Sequence, residues 1–323
     1  MNKNIIKKVL GLSIGNMLLC CFAVTNCLSE TTGASFLKIG VGARPIAMGS
    51  AFTAVANDVT GIYWNPAGLL QLTKREISAM HTEWIANTRL DFIGYAQPTR
   101  AGVFGCGIIY LSQQDIEGRD ENRQITSPFG ASDLAVTLSY SRHLTELSRL
   151  VSAGLNVKFI QQNIENYTAH GIAIDIGTLY QTPINNLKAG LSIQNIGPQM
   201  KFISQTYNLP LTATFGIGYT MSGIVIALDL KQQVYEGRTI ISAGTEYCPM
   251  NLIVLRIGYA GKLTESILSN RDIIQGNNTD STNFTGFGAG LGLRLFTNYQ
   301  MDYSFAPYGL LGDTHRISFL ARF

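Results

Sequence analysis

From about residue 76 onward the chain alternates between apolar and polar or small residues. In 151–160, Val151, Ala153, Leu155, Val157 and Phe159 share one parity, and Ser152, Gly154, Asn156 and Lys158 the other. Residues 134–141 set Leu134, Val136, Leu138 and Tyr140 against Ala135, Thr137, Ser139 and Ser141. In 286–295, Phe287, Ala289, Leu291, Leu293 and Leu295 oppose Gly286, Gly288, Gly290, Gly292 and Arg294. Ile224, Ile226, Leu228 and Leu230 likewise oppose Asp229 and Lys231. A period of two over such lengths predicts strands with one apolar face.

About fourteen such segments can be counted, near 76–85, 89–97, 103–111, 132–142, 151–161, 168–180, 187–195, 211–220, 224–232, 239–247, 252–260, 286–296, 298–305 and 315–323. An even number of segments of roughly ten residues is the pattern of a membrane-spanning barrel. The links after even segments are mostly short. Several after odd segments are long and polar, at 112–131, 196–210 and 261–285, while 86–88 is short. Long loops on one side and short turns on the other suit an outer-membrane barrel. The predicted fold is therefore all-β, a 14-stranded antiparallel transmembrane barrel over 74–323.

Charge placement agrees. Lys158, Asp175, Asp229, Glu246, Arg256, Arg294, Asp302, Arg316 and Arg322 fall opposite the bulky apolar stripe of their segments. A cation facing lipid at mid-depth costs about 2–4 kcal/mol. These residues are expected to line the interior. A large soluble sandwich also alternates, but this many strands in one domain, with no repeat of fixed period, favours a barrel.

The first 29 residues differ. Lys3, Lys7 and Lys8 precede an apolar run from Val9 to Val24, the shape of a signal peptide. Cleavage after Ser29 and lipidation at Cys27 are the two processing alternatives, and a cytosolic chain with an apolar N-terminal helix is the plainest other reading. Those three lysines supply the formal charge of +3, so the remainder is neutral. Only 14% of the residues are charged and 33 are glycine. Low charge and neutrality argue against a nucleic-acid partner. No later run is long enough for a membrane helix.

Residues 30–73 read as a plug packed in the lumen, because so short a piece cannot build its own core. Asn65 and Pro66 look like an N-cap and first position of a short helix, followed by Ala67 and Gly68. Arg44 and Asp58 are expected to fasten the plug, and Trp64 belongs to its aromatic set with Phe36, Phe52 and Tyr63. The four His are scattered, so no metal site is expected. His81 and Glu83 share a face, and hydrogen bonding to the plug is the expected role of His81. Gly286-Phe287-Gly288-Ala289-Gly290 lies inside a strand, so it is no dinucleotide loop. Its glycines are expected to let the plug approach the wall. No nucleophile elbow is present. No catalytic residue and no cofactor are expected.

Several motifs together carry a resemblance. They are Gly40 to Gly49, Asn57-Asp58, Trp64 to Leu69, His81 to Trp84, Asp115 to Asp120, Asn195 to Pro198 and Ala306 to Ser318. In these the chain resembles the PorV/PorQ family of outer-membrane proteins, itself similar to FadL-type transporters. The resemblance implies a hatch carrying Asn65-Pro66-Ala67 and residence in the bacterial outer membrane. It also implies docking or shuttling of exported proteins in type IX secretion, with a secretion channel or cargo as partner. The alternative is FadL-like transport of a hydrophobic ligand. Asp313, His315 and Arg316 mark the last loop and strand. The terminal Phe323 resembles the signal read by barrel-assembly machinery. Leu310 and Leu311 depart from the more polar residue expected there.

Overall fold

Strand faces in this computed structural model follow the alternation. It describes residues 32–119, 122–145, 148–263 and 286–323. The leader read at 1–29, with Cys27 and Ser29, lies outside the described residues, as do Asp120 and most of the link at 261–285.

Fourteen strands close into an antiparallel barrel: β1 (Glu76–Glu83), β2 (Arg89–Thr99), β3 (Gly102–Arg119), β4 (Ile125–Thr145), β5 (Ser148–Ile164), β6 (Tyr167–Gln181) and β7 (Leu187–Ile196), then, beyond a small hairpin of β8 (Met200–Phe202) and β9 (Gln205–Tyr207), β10 (Thr212–Met221), β11 (Ile224–Gln233), β12 (Arg238–Met250), β13 (Ile253–Lys262), β14 (Phe287–Leu295), β15 (Tyr299–Pro307) and β16 (Asp313–Arg322). Each wall strand pairs with its sequence neighbour, β7 pairs β10, and β1 pairs β16 from Glu76–Arg322 to Glu83–His315. Closure leaves no edge strand, as backbone in lipid requires. Among the described residues no helix is long and apolar enough to cross a membrane.

The apolar stripe faces out. Leu138, Leu155, Phe159, Ile226, Leu228, Leu255, Ile257 and Leu291 are exposed, whereas Lys158, Asp175, Asp229, Glu246, Arg256, Asp302 and Arg316 are buried. The short turns gather with the start of β1 and the end of β16 at one end of the barrel, here the turn end. The opposite end is the loop end.

Two expectations change. The polar link at 112–131 is mostly strand, because β3 and β4 stay paired out to Arg119–Ile125, with bulges near Ile116. At ~3.3 Å per residue and a tilt of about 40°, the 18 residues of β3 climb roughly 45 Å, beyond an apolar band of about 25 Å. The 8 residues of β1 climb only roughly 20 Å. The rim is therefore slanted. His81 does not meet the plug either. It shares the outward parity of Ile77 and Ala79, and its Nδ1 lies 2.6 Å from Asp91 on the exposed face.

Candidate functional site: the plug and the wall it meets

Residues 32–75 run through the lumen from the loop end to the turn end. Short helical turns at Ser35–Lys38, Ala43–Ala47, Gly61–Trp64 and Pro66–Gln71 fold them into a compact body. Its core joins Val41, Met48, Phe52 and Trp64 to the wall residues Met80 and Phe92. Small residues make this fit possible. A Cβ on Gly244 would lie 2.3 Å from Met48 O, and one on Gly288 2.3 Å from Ile46 O. Wall glycines thus admit the plug backbone itself.

Arg44 sits at the centre. Its Nη1 donates to Asp58 at 2.8 Å and to Asn57 at 2.6 Å, and its Nε donates to Glu246 on β12 at 2.8 Å. Arg256 on β13 reaches Glu246 and Asp302 on β15, both at 2.7 Å. Gln300 closes the row by donating to Asp302 at 2.8 Å. Carboxylates and guanidiniums therefore alternate from plug to wall. Burial opposes the Arg44 charge, but Glu246 and Asp58 outweigh it and raise its pKa, so it stays cationic. Its guanidinium also lies 5.1 Å from the Phe52 ring centre.

The turn around Asn65 is tied by one amide side chain. Asn65 Oδ1 accepts from Ala67 N at 3.1 Å, which caps the turn that Pro66 begins. Its Nδ2 donates to Thr53 O at 2.9 Å and to Thr178 O on β6 at 3.1 Å. Gly68 is required because a Cβ there would lie 2.1 Å from Ala56 O. Trp64 donates its indole N–H to Val41 O at 2.9 Å and packs edge-on against Tyr63. Burial pushes the Tyr63 hydroxyl pKa up, and that hydroxyl donates to Leu37 O at 3.0 Å.

The last strand divides its candidate residues. Arg316 points inward, is 1% exposed, donates to Gly40 O and lies 5.0 Å from the Trp84 ring centre. His315 points outward to the Tyr303 hydroxyl at 2.7 Å, and Asp313 is exposed at the strand start. The Phe323 side chain is exposed while its backbone pairs with Arg75 at 3.0 and 3.1 Å. These residues do not form one cluster.

Other plug anchors come from the wall, and of these the sequence placed Asp229, Asp175 and Lys158 in the lumen without naming their partners. Asp229 accepts from Phe52 N and Thr53 N at 3.0 and 2.9 Å. Asn156 donates to Ile62 O at 2.7 Å and to Asp175, which pairs with Lys158 at 2.9 Å. Glu76 accepts from Val59 N at 3.0 Å while paired with Arg322. A charge opposite an apolar stripe was the signal for Asp229, Asp175 and Lys158, whereas Asn156 carries no charge and Glu76 was not among the residues so placed. Among the described residues no group of three or more His, Cys, Asp or Glu is placed to hold a metal ion.

Residues 28–164 match the model of an uncharacterised protein family, UPF0164. No curated protein matches the chain. The toluene transporter TbuX of Ralstonia pickettii superposes with a TM-score of 0.61 at 15% identity, over 88% of this chain and 98% of that one. The monoaromatic hydrocarbon channel CymD gives 0.61 at 13%, over 91% and 99%. A TodX monoaromatic hydrocarbon channel mutant gives 0.59 at 13%, over 88% and 99%. At such identities the likeness is one of fold, and neither the family model nor these structures carries the PorV/PorQ name. The chain is a closed fourteen-stranded barrel with an internal plug, similar in architecture to hydrocarbon channels.

Proposed function

We propose that the chain is an outer-membrane conduit for small hydrophobic molecules, with residues 32–75 as its stopper. The observation that carries this reading is the filled lumen. An open aqueous pore needs a polar, water-lined interior. Here the interior holds a plug whose apolar core joins Phe52 and Trp64 to Met80 and Phe92 on the wall. An apolar solute is suited to the apolar part of the plug–wall boundary, where an ion or sugar would be left without polar partners. The fold shared with toluene and monoaromatic hydrocarbon channels supports the same reading.

Uptake of labelled toluene by cells with an intact lipopolysaccharide layer tests it. Uptake should rise when the protein is expressed. Equal uptake with and without a folded, membrane-inserted barrel would sink the proposal.

Docking of exported proteins or a secretion channel is the second reading. The tall β3–β4 hairpin favours it, since it offers paired backbone beyond the lipid. Removing residues 114–128 should then stop surface delivery of cargo while toluene uptake persists.

A further inference from the structure

We propose that a crevice between the plug and strands β13–β15 is a binding site for one small aromatic ring, such as benzene or an alkylbenzene. This rests on the conduit reading and narrows its ligand. The crevice has a volume of about 140 Å³ and is lined by Ile46, Ser50, Ala260, Phe287, Ala306 and Tyr308, among others.

The space exists for identifiable reasons. Ala260 on β13 and Ala306 on β15 are both on the inward parity of their strands, and between them the inward positions of β14 and its lead-in are Gly288 and Gly286. Four adjacent inward positions therefore contribute almost no side chain. The plug cannot sink further to fill the gap. Gly49 already lies on the wall, where a Cβ would be 2.4 Å from Tyr259 N. Gly49 and Ser50 take left-handed backbone angles, with φ of 60° and 66°, turning the chain away after the Ala43–Ala47 helical turn.

The wall is also unzipped beside the crevice. Pairing of β14 with β15 ends at Ala289–Phe305, although β14 begins at Phe287 and β15 runs on to Pro307. Pro307 has no N–H with which to extend the ladder. Phe287 and Tyr308 are half-buried, so the crevice reaches the surface.

Size and chemistry set the ligand class. An apolar cavity of about 150 Å³ in another protein stays dry and takes up benzene. The present volume accepts one ring and is too small for a long acyl chain. Ile46, Ala260, Phe287 and Ala306 offer apolar contact without any charged group.

Crystals of the full chain soaked in 4-bromotoluene test the site through the anomalous signal of bromine. Wild type should show a bromine peak between Ser50 and Ala306. Ala306→Leu fills the space and should lose the peak. Ala260→Leu is the second variant should the first fail to fold. Ala243→Leu, on the outward face of β12, should keep it. Toluene uptake should fall about tenfold in the filled variants, which corresponds to ~1.4 kcal/mol of binding. A wild-type crevice without bromine, a peak that survives Ala306→Leu, or binding at crystal concentration only with unchanged uptake of the variants would each overturn the site. Wild type that binds bromotoluene in the crevice yet gives no uptake would sink the conduit reading and leave the site standing.

Discussion

The two ends of the plug are fastened in opposite ways. Near the turn end, backbone lies on backbone. A Cβ on Gly154 of β5 would fall 2.3 Å from both Ala67 N and Pro66 C. At the loop end the hold is through side chains and single loop contacts. Thr32 donates to Glu236 at 2.9 Å, Lys38 pairs with the same carboxylate, and Gln162 accepts from Ala34 N at 3.0 Å. Contact without clearance resists displacement, because close-packed interiors transmit strain. Long side chains on a partly exposed surface swing at little cost. The loop-end hold is therefore the weaker of the two.

The largest expected effect attacks the turn-end contact. Gly154→Val should prevent the barrel closing around the plug, and the heat-modifiable folded band in electrophoresis should disappear. Next comes the central ion row. Arg44→Ala leaves Glu246 and Asp58 facing each other without their shared cation, a loss of about 3 kcal/mol. Barrel heat-resistance should drop, and planar bilayers should show ion leakage absent from wild type. Unchanged resistance and permeability would refute the fastening role of Arg44. Asn65→Ala removes three hydrogen bonds from a buried turn and should cost about 2 kcal/mol, read as a smaller fall in unfolding midpoint.

The smallest effect concerns acid. Burial alone would raise the Glu236 carboxyl, but the Lys38 and Thr32 bonds and the nearby Lys38 and Arg238 charges hold it below its usual range. A lowered carboxyl contributes its full stability above the ordinary carboxylate value and loses it as pH falls through the lowered one. Protection of the Gly33 to Lys38 amides, measured against their intrinsic exchange rates, should thus fall once the pH drops below the ordinary carboxylate range. Glu236→Gln should abolish that acid step. If both chains respond alike, the loop-end fastening lies elsewhere.

Much of the wall was legible because lipid imposes one rule on every strand. Leu155, Val157 and Phe159 must face out, so Lys158 must face in. That rule stops at the membrane boundary. Above it Gln113, Arg119 and Thr126 meet water on both faces, so alternation ends while pairing continues, and the β3–β4 extension reads as loop. His81 shows a second limit. Its period was readable, and its parity with Ile77 pointed outward, but a polar residue on a lipid-side stripe looks like an inward one until pairing with Asp91 is known. At the site, the Asn65 turn and the ionic character of Arg44 and Asp58 could be read locally. Their wall partners could not. Glu246 and Thr178 meet the plug across long sequence separations, which only the closed ring defines.

The route of the chain constrains how the molecule is made. The stopper leads directly into β1, and β1 is sealed to β16, the last strand in the sequence. The seam therefore joins the first and last strands of the ring, and residues 32–75 lie inside the cylinder it closes. Loop-closure entropy for so distant a pairing is offset only late. The plug backs the wall glycines it lies against, so a chain lacking it would lose packing of the wall as well as the filling of its lumen.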